Sequence, residues 1–241
     1  MTRRDIVKAN PVKWWLHATV ILALLITWGG WARGAKPRAT PASFAVASVH
    51  FEQNATDGDM EVVFQVKGTK DGLAELNVVS PDRRTVVAFK SPDASTLGIR
   101  QFRFESPEPT DIKSLRAAYP EGVYRFYGKT VSGTLLAGKS KLSHRLPAAT
   151  KVVKPAPKAT HVPVKGLEVS WSAVTGVAWY VVAIERSDSN ANFTATVPAS
   201  ATSLAVPDGL LSSGQEYSVS IGTVARDGNI SFVEATFTTD K

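Results

Sequence analysis

Cysteine is missing from all 241 residues, and methionine (2) and histidine (4) are scarce. Without cysteine there is no disulfide, no thiolate nucleophile, no cysteine-held metal and no lipid attached through a thiol. His50, His144 and His161 sit far apart in unlike surroundings, and no two share a metal-ligand spacing. Gly-x-Ser-x-Gly is absent, and no glycine-rich loop leads into a helix to cradle a phosphate. The sequence therefore predicts a protein that is not an enzyme, with no catalytic residue, no cofactor and no metal. Asp57, Asp59 and Glu61 alternate after Asn54, but Asp57-Gly58 is first of all hairpin-turn chemistry.

What is present begins with an export signal. Arg3, Arg4, Lys8 and Lys13 precede an uncharged window from Trp14 to Ala32, closed by Arg33. As a helix, such a window spans about 28 Å, close to the roughly 30 Å of a bilayer core. The basic end marks the side that stays inside. Gly30-Trp31-Ala32 offers a small-x-small cleavage site, whereas Trp14, Trp15, Trp28 and Trp31 flank the window as an interfacial belt would. Residues 1–35 thus read as a signal peptide or a membrane anchor. The expected location is the cell envelope, either tethered through residues 14–32 and facing outward, or periplasmic or secreted after cleavage.

Setting residues 1–35 aside removes five basic residues and one acidic one. The formal net charge falls from +7 to +3, with 23 Lys and Arg against 20 Asp and Glu. No stretch of the remainder concentrates basic charge as a nucleic-acid binder would, so no nucleic-acid partner is expected. Lys151, Lys154 and Lys158 lie among prolines and alanines and read as a solvated linker.

From Leu167 onward the pattern is regular. Leu167, Val169 and Trp171 alternate with Glu168, Ser170 and Ser172, the period of a strand with one buried face. Ala178, Tyr180, Val182 and Ile184 repeat it, and Phe193–Val197, Ser203–Val206, Tyr217–Val224 and Ile230–Phe237 add four more runs. Pro207-Asp208-Gly209 and Asp227-Gly228-Asn229 separate them with turn chemistry. Val169-Ser-Trp171-Ser, Tyr180, Thr202-Ser203, Val206-Pro207, Leu210, Tyr217 and Phe237-Thr-Thr239 together resemble the fibronectin type III family. That resemblance implies a β-sandwich over 161–241, a buried Trp171, and a corner tyrosine at Tyr217 whose hydroxyl bonds back to the chain. About function it implies little, because such sandwiches host many unrelated activities.

Upstream, Met60, Val62, Phe64 and Val66 face one way, and short apolar runs at 74–78, 87–89, 102–104 and 124–126 continue the theme. Turn signals fall at Asp57-Gly58, Asp71-Gly72, Ser80-Pro81-Asp82, Ser132-Gly133 and Gly138. Only 110–119 reads as helical, with Thr110 or Asp111 as cap and Pro120 as stop. The predicted fold is all-β: two tandem immunoglobulin-like or fibronectin type III sandwiches after the N-terminal signal or anchor helix. The expected boundaries are a stalk at 36–43, a first sandwich at 44–146, a Pro-rich linker at 147–160, and a second sandwich at 161–241, with the Pro-rich stretch 147–163 expected to be partly linker and partly the first edge strand of the second sandwich.

One surface stands out as a binding candidate. If Tyr180, Val182 and Ile184 point inward, Trp179 and Val181 point outward, and Phe232 stands outward on the last strand. Between them the family order places Ser218, Ser220 and Gly222. Two strand spacings are about 10 Å, so an indole and a phenyl would flank a shallow floor of small residues. The residues expected to contact a partner are Trp179, Val181, Ser220, Gly222 and Phe232. An aromatic face of this kind suits a protein or a glycan; the alternative is a spacer or accessory subunit of a larger envelope complex or secreted hydrolase.

Overall fold

The computed structural model describes residues 40–91, 98–109, 111–186 and 192–241. The signal or anchor segment, the stalk up to residue 39 and Thr110 lie outside the described residues. Among the described residues no helix is long and apolar enough to cross a membrane.

Residues 40–241 form one compact unit. Its first half carries β1 (Ala42–Ser43), β2 (Val46–Asn54), β3 (Met60–Lys67), β4 (Leu73–Val79), β5 (Thr85–Lys90), β6 (Gln101–Glu105), α1 (Ile112–Ala118), β7 (Gly122–Thr130) and β8 (Leu135–Leu142). The second half carries β9 (Val152–Lys154), β10 (Ala159–Val162), β11 (Glu168–Trp171), β12 (Trp179–Glu185), β13 (Asn192–Pro198), β14 (Ser203–Ala205), β15 (Glu216–Val224) and β16 (Ile230–Thr239). The architecture is all-β: two sandwiches in tandem, with one helix among the described residues.

In the first sandwich a sheet ordered β1-β8-β7-β4-β5 packs on β2, β3 and β6. Alternation explains the packing: Val62, Phe64 and Val66 of β3 are buried together with Leu76, Val78, Tyr124 and Phe126 of the facing sheet. Phe89 and Phe102 meet edge-to-face at 4.9 Å where the free edges of β5 and β6 come together. Helix α1 starts where the sequence predicts, with the Asp111 carboxylate accepting from the Lys113 and Ser114 amides. Asp57-Gly58 is the turn between β2 and β3. Asn54 Nδ2 donates to Asp57, whose other oxygen accepts from the Asp59 amide, and Gly58 adopts φ +92°. Gly138 is not a turn. It lies within β8, where a Cβ would come within 2.8 Å of Ala47 and 3.2 Å of Phe44, so its place is set by close packing.

In the second sandwich β9, β11 and β14 face β12, β13, β15 and β16. Val169, Trp171, Tyr180, Val182, Tyr217, Val219 and Phe237 fill the core. Tyr217 Oη accepts from the Ser212 amide at 2.8 Å, the corner bond that the family resemblance implies. Tyr180 Oη likewise accepts from the Val174 amide, at 2.8 Å.

The Pro-rich stretch 147–163 supplies the expected edge strand of this sandwich, and much of the part expected as linker is packed into it as well. β9 pairs with β11, β10 pairs with β16, and Thr150 and Pro155 are buried. Prolines suit this place because an edge strand leaves one row of amides without a ladder partner. Beyond this, β16 pairs in parallel with β2, Ile230–Phe232 against Glu52–Asn54. One sheet therefore runs from the second sandwich into the first.

Candidate functional site

The junction and the outer face of the shared sheet hold the residues of interest. At the centre of the junction is Asn229, at the end of the Asp227-Gly228 turn and 1% exposed. Its Oδ1 accepts from the Phe51 amide at 2.8 Å, while its Nδ2 donates to the carbonyls of Ser143 and Arg145, both at 2.9 Å. Ser231 Oγ donates to the Pro147 carbonyl at 2.6 Å and accepts from Gln53 Nε2 at 2.8 Å. Thr223 Oγ1 donates to the Ala148 carbonyl at 2.8 Å. Three side chains of the second sandwich thus satisfy backbone groups of the first and of the connecting segment. Nothing in the local pattern marks Asn229 for this role: in sequence it completes a turn and an Asn-Ile-Ser sequon. Its burial makes glycan attachment there incompatible with the fold.

On the outer face, the pairing aligns Val181, Gly222 and Phe232 in one row, and Trp179, Val224 and Ile230 in the next. Trp179 is 38% exposed beside Pro198 and Val224. The floor expected between Trp179 and Phe232 is closed on one side. A Cβ at Gly222 would come within 2.6 Å of the Phe232 ring, so the phenyl lies down over the glycine and buries it. Ser220 is half-buried, and its Oγ donates to Glu234 at 3.1 Å. The physical reason is the missing side chain: a ring opposite a glycine folds onto the bare backbone rather than standing beside an open trough. The result is a nearly flat surface, with the Trp179 indole as its most projecting apolar group.

Phe232 also borders a cleft of about 230 Å³ that reaches across the junction, lined by Glu52, Asp59, Met60, Glu61, Glu108 and Glu234 among others. Glu52 is almost fully buried and receives His50 Nε2 at 2.6 Å and Arg103 Nη2 at 3.1 Å. Arg103 pairs with Glu105 as well. The Glu61 carboxyl is pushed above the ordinary carboxylate range, first by burial and then by the neighbouring Glu52. Phe232 is the one residue shared by this cleft and the predicted patch. Sequence reasoning missed Glu52, His50 and Arg103, because they meet only across β2, β3 and β6. Among the described residues no group of three or more His, Asp or Glu is arranged to hold a metal ion.

No family model matches the chain, and no curated protein does. Solved structures do. One is the FN1–FN3 domains of chicken CNTN1, at 12% identity and TM-score 0.32, covering 83% of this chain; this chain spans 65% of that one. Another is the fibronectin(III)-like modules of Clostridium thermocellum CbhA, at 11% identity, 81% and 91% coverage and TM-score 0.32. A two-domain fibronectin type III segment of chicken tenascin matches at 16% identity, 81% and 99% coverage and TM-score 0.32.

Proposed function

We propose that the chain is an exported, non-catalytic binding or structural protein of the cell envelope, held at the membrane by residues 14–32 or released after cleavage. It presents two sandwiches in a fixed orientation, and offers the face around Trp179 and Phe232 to a protein or glycan. The observation that supports this reading is the junction. Tandem domains move relative to each other unless their interface is extensive. Here a shared sheet and the buried Asn229, Ser231 and Thr223 bonds oppose that motion. A stiff scaffold with an indole on its face loses little conformational entropy on binding. The same stiffness would serve a spacer or accessory subunit, which needs no aromatic face.

The test uses fragment 36–241 to capture partners from envelope extracts and on a glycan array. Trp179→Ala should retain its melting temperature and weaken capture at least about tenfold, as loss of an aromatic hot spot does. Unchanged capture would move the contact surface elsewhere. No partner for the wild-type fragment would favour the spacer.

A further inference from the structure

The outer face of the five-stranded sheet gathers charge that no stretch of the sequence concentrates. Alternation points Arg125, Tyr127 and Lys129 outward from β7, and Leu135, Lys139 and Lys141 outward from β8. The register sets Arg125 directly opposite Lys139, and Tyr127 opposite Ala137. Like charges facing each other across a strand pair are destabilising. Among the described residues no ion pair involves Arg125, Lys129, Lys139 or Lys141. Glu75, the acidic residue of this face, sits beside Lys129 and 4.0 Å from Lys90. Tyr127 and Leu135 stand among the cations and are 47% and 48% exposed. A shallow depression of about 520 Å³ lies between Arg125, Tyr127 and Lys139 at the edge where β1 enters the sheet.

The opposite face of the same sandwich carries Glu52, Glu61 and Glu105 on β2, β3 and β6, together with Lys67 and with Arg103, which pairs with both Glu52 and Glu105. Residues 147–241 contribute 7 basic and 8 acidic residues, so the positive surplus belongs to the first half of the chain. On the opposite face Arg103 thus pairs with carboxylates, whereas among the described residues Arg125, Lys129, Lys139 and Lys141 do not.

We propose that this basic face docks on an anionic lipid bilayer, with the opposite face and the second sandwich directed away from it. The inference rests on the tethered reading above. Only residues 33–39 separate the apolar window from residue 40, which limits the chain between them to under about 30 Å. β1 enters this sheet along β8, with Ser43 opposite Ala137 and bordering the depression that Lys139 lines, so the chain reaches the fold at this sheet. Cations flanking a tyrosine and a leucine match the interfacial chemistry of headgroup and acyl boundary.

Fragment 40–241 contains both cores and every strand pairing described, so it can be tested without the tether. It should co-sediment with vesicles containing about one-third phosphatidylglycerol, not with phosphatidylcholine alone, and should dissociate as salt is raised. Each Lys or Arg near such a surface strengthens partitioning about fivefold, so Arg125→Gln with Lys139→Gln should weaken it at least about tenfold. The melting temperature should not fall, because a repulsive pair is removed. Lys165→Glu, on the second sandwich, should change partitioning little. Equal binding to both vesicle types, no binding to either, or insensitivity to the double substitution would overturn the proposal. So would capture by heparin with no vesicle binding, which would indicate a glycan instead. Fractionation of the full chain reads the tether separately: release of the intact chain into the soluble fraction would refute the tether and leave the vesicle result standing.

Discussion

The two sandwiches solve the same packing problem with different side chains. The second buries Trp171 (3% exposed), Tyr180 and Tyr217, and fixes both tyrosine hydroxyls on backbone amides a few residues away in the chain. The first relies on phenylalanines, a two-turn helix and Tyr124, whose hydroxyl donates to the Pro120 carbonyl, and adds an ion cluster of His50, Glu52 and Arg103 that links β2 and β6 across β3. Tyrosines bonded a few residues away leave a pattern readable along the chain. An ion cluster between separate strands does not. Charge divides the halves as well: the second is nearly neutral, and the first holds Arg125, Lys129, Lys139 and Lys141 on one face without ion pairs among the described residues.

The comparison can be strained at three points. The largest effect is expected at Trp171. Trp171→Ala should cost about 3–5 kcal/mol through the cavity left against Tyr180, whose ring lies 5.4 Å away. In fragment 40–241 both tryptophans, Trp171 and Trp179, belong to the second sandwich, so fluorescence of the remaining Trp179 follows that half while circular dichroism follows both. Coincident unfolding by the two probes would show that the halves unfold as one unit. A cost under about 1 kcal/mol would contradict the buried position of the indole.

Asn229→Ala comes next. It strands the Phe51 amide and the Ser143 and Arg145 carbonyls inside the junction. Unsatisfied buried groups cost about 1–3 kcal/mol each, and partial hydration should hold the total to about 2–4 kcal/mol. The informative readout is separation of the fluorescence and dichroism transitions, which should coincide in the wild type. If they stay coincident, the pairing of β16 with β2 couples the sandwiches without the clasp.

The smallest effect is expected on the acidic side. The Glu61 carboxyl is raised in the folded state above its unfolded 4.5, so ionisation destabilises the fold above that range and the penalty disappears once both states are protonated. Glu61→Gln should therefore raise the melting temperature slightly at neutral pH, by less than about 0.5 kcal/mol in stability, since the group is partly solvated. The gain should fade as pH falls through the raised value towards 4.5 and below. A gain that persisted at low pH would point to packing rather than charge.

The alternation of Val169 with Trp171, and of Tyr180 with Val182 and Ile184, made the second sandwich legible, and it also set the outward phase of Trp179 and Phe232. Asp57-Gly58 and Asp111 likewise announced their turn and cap. Prolines mark both linkers and edge strands, so composition could name both for 147–163 but not where one gives way to the other. The open floor around Gly222 was misread because period-2 reasoning gives a side chain's direction but not whether a ring opposite a glycine lies down.

By itself the sequence determined the all-β class, the buried faces of most strands, the absence of thiol chemistry and most turn positions, Gly138 excepted. All of these follow from residue type and from spacings of a few residues, which the chain carries locally. Tertiary structure alone decided the sheet shared through β16 and β2, the Asn229 clasp, the Glu52 cluster and the basic face around Tyr127. Each depends on the register between segments far apart in sequence, and register is set by how whole faces pack, not by any one strand.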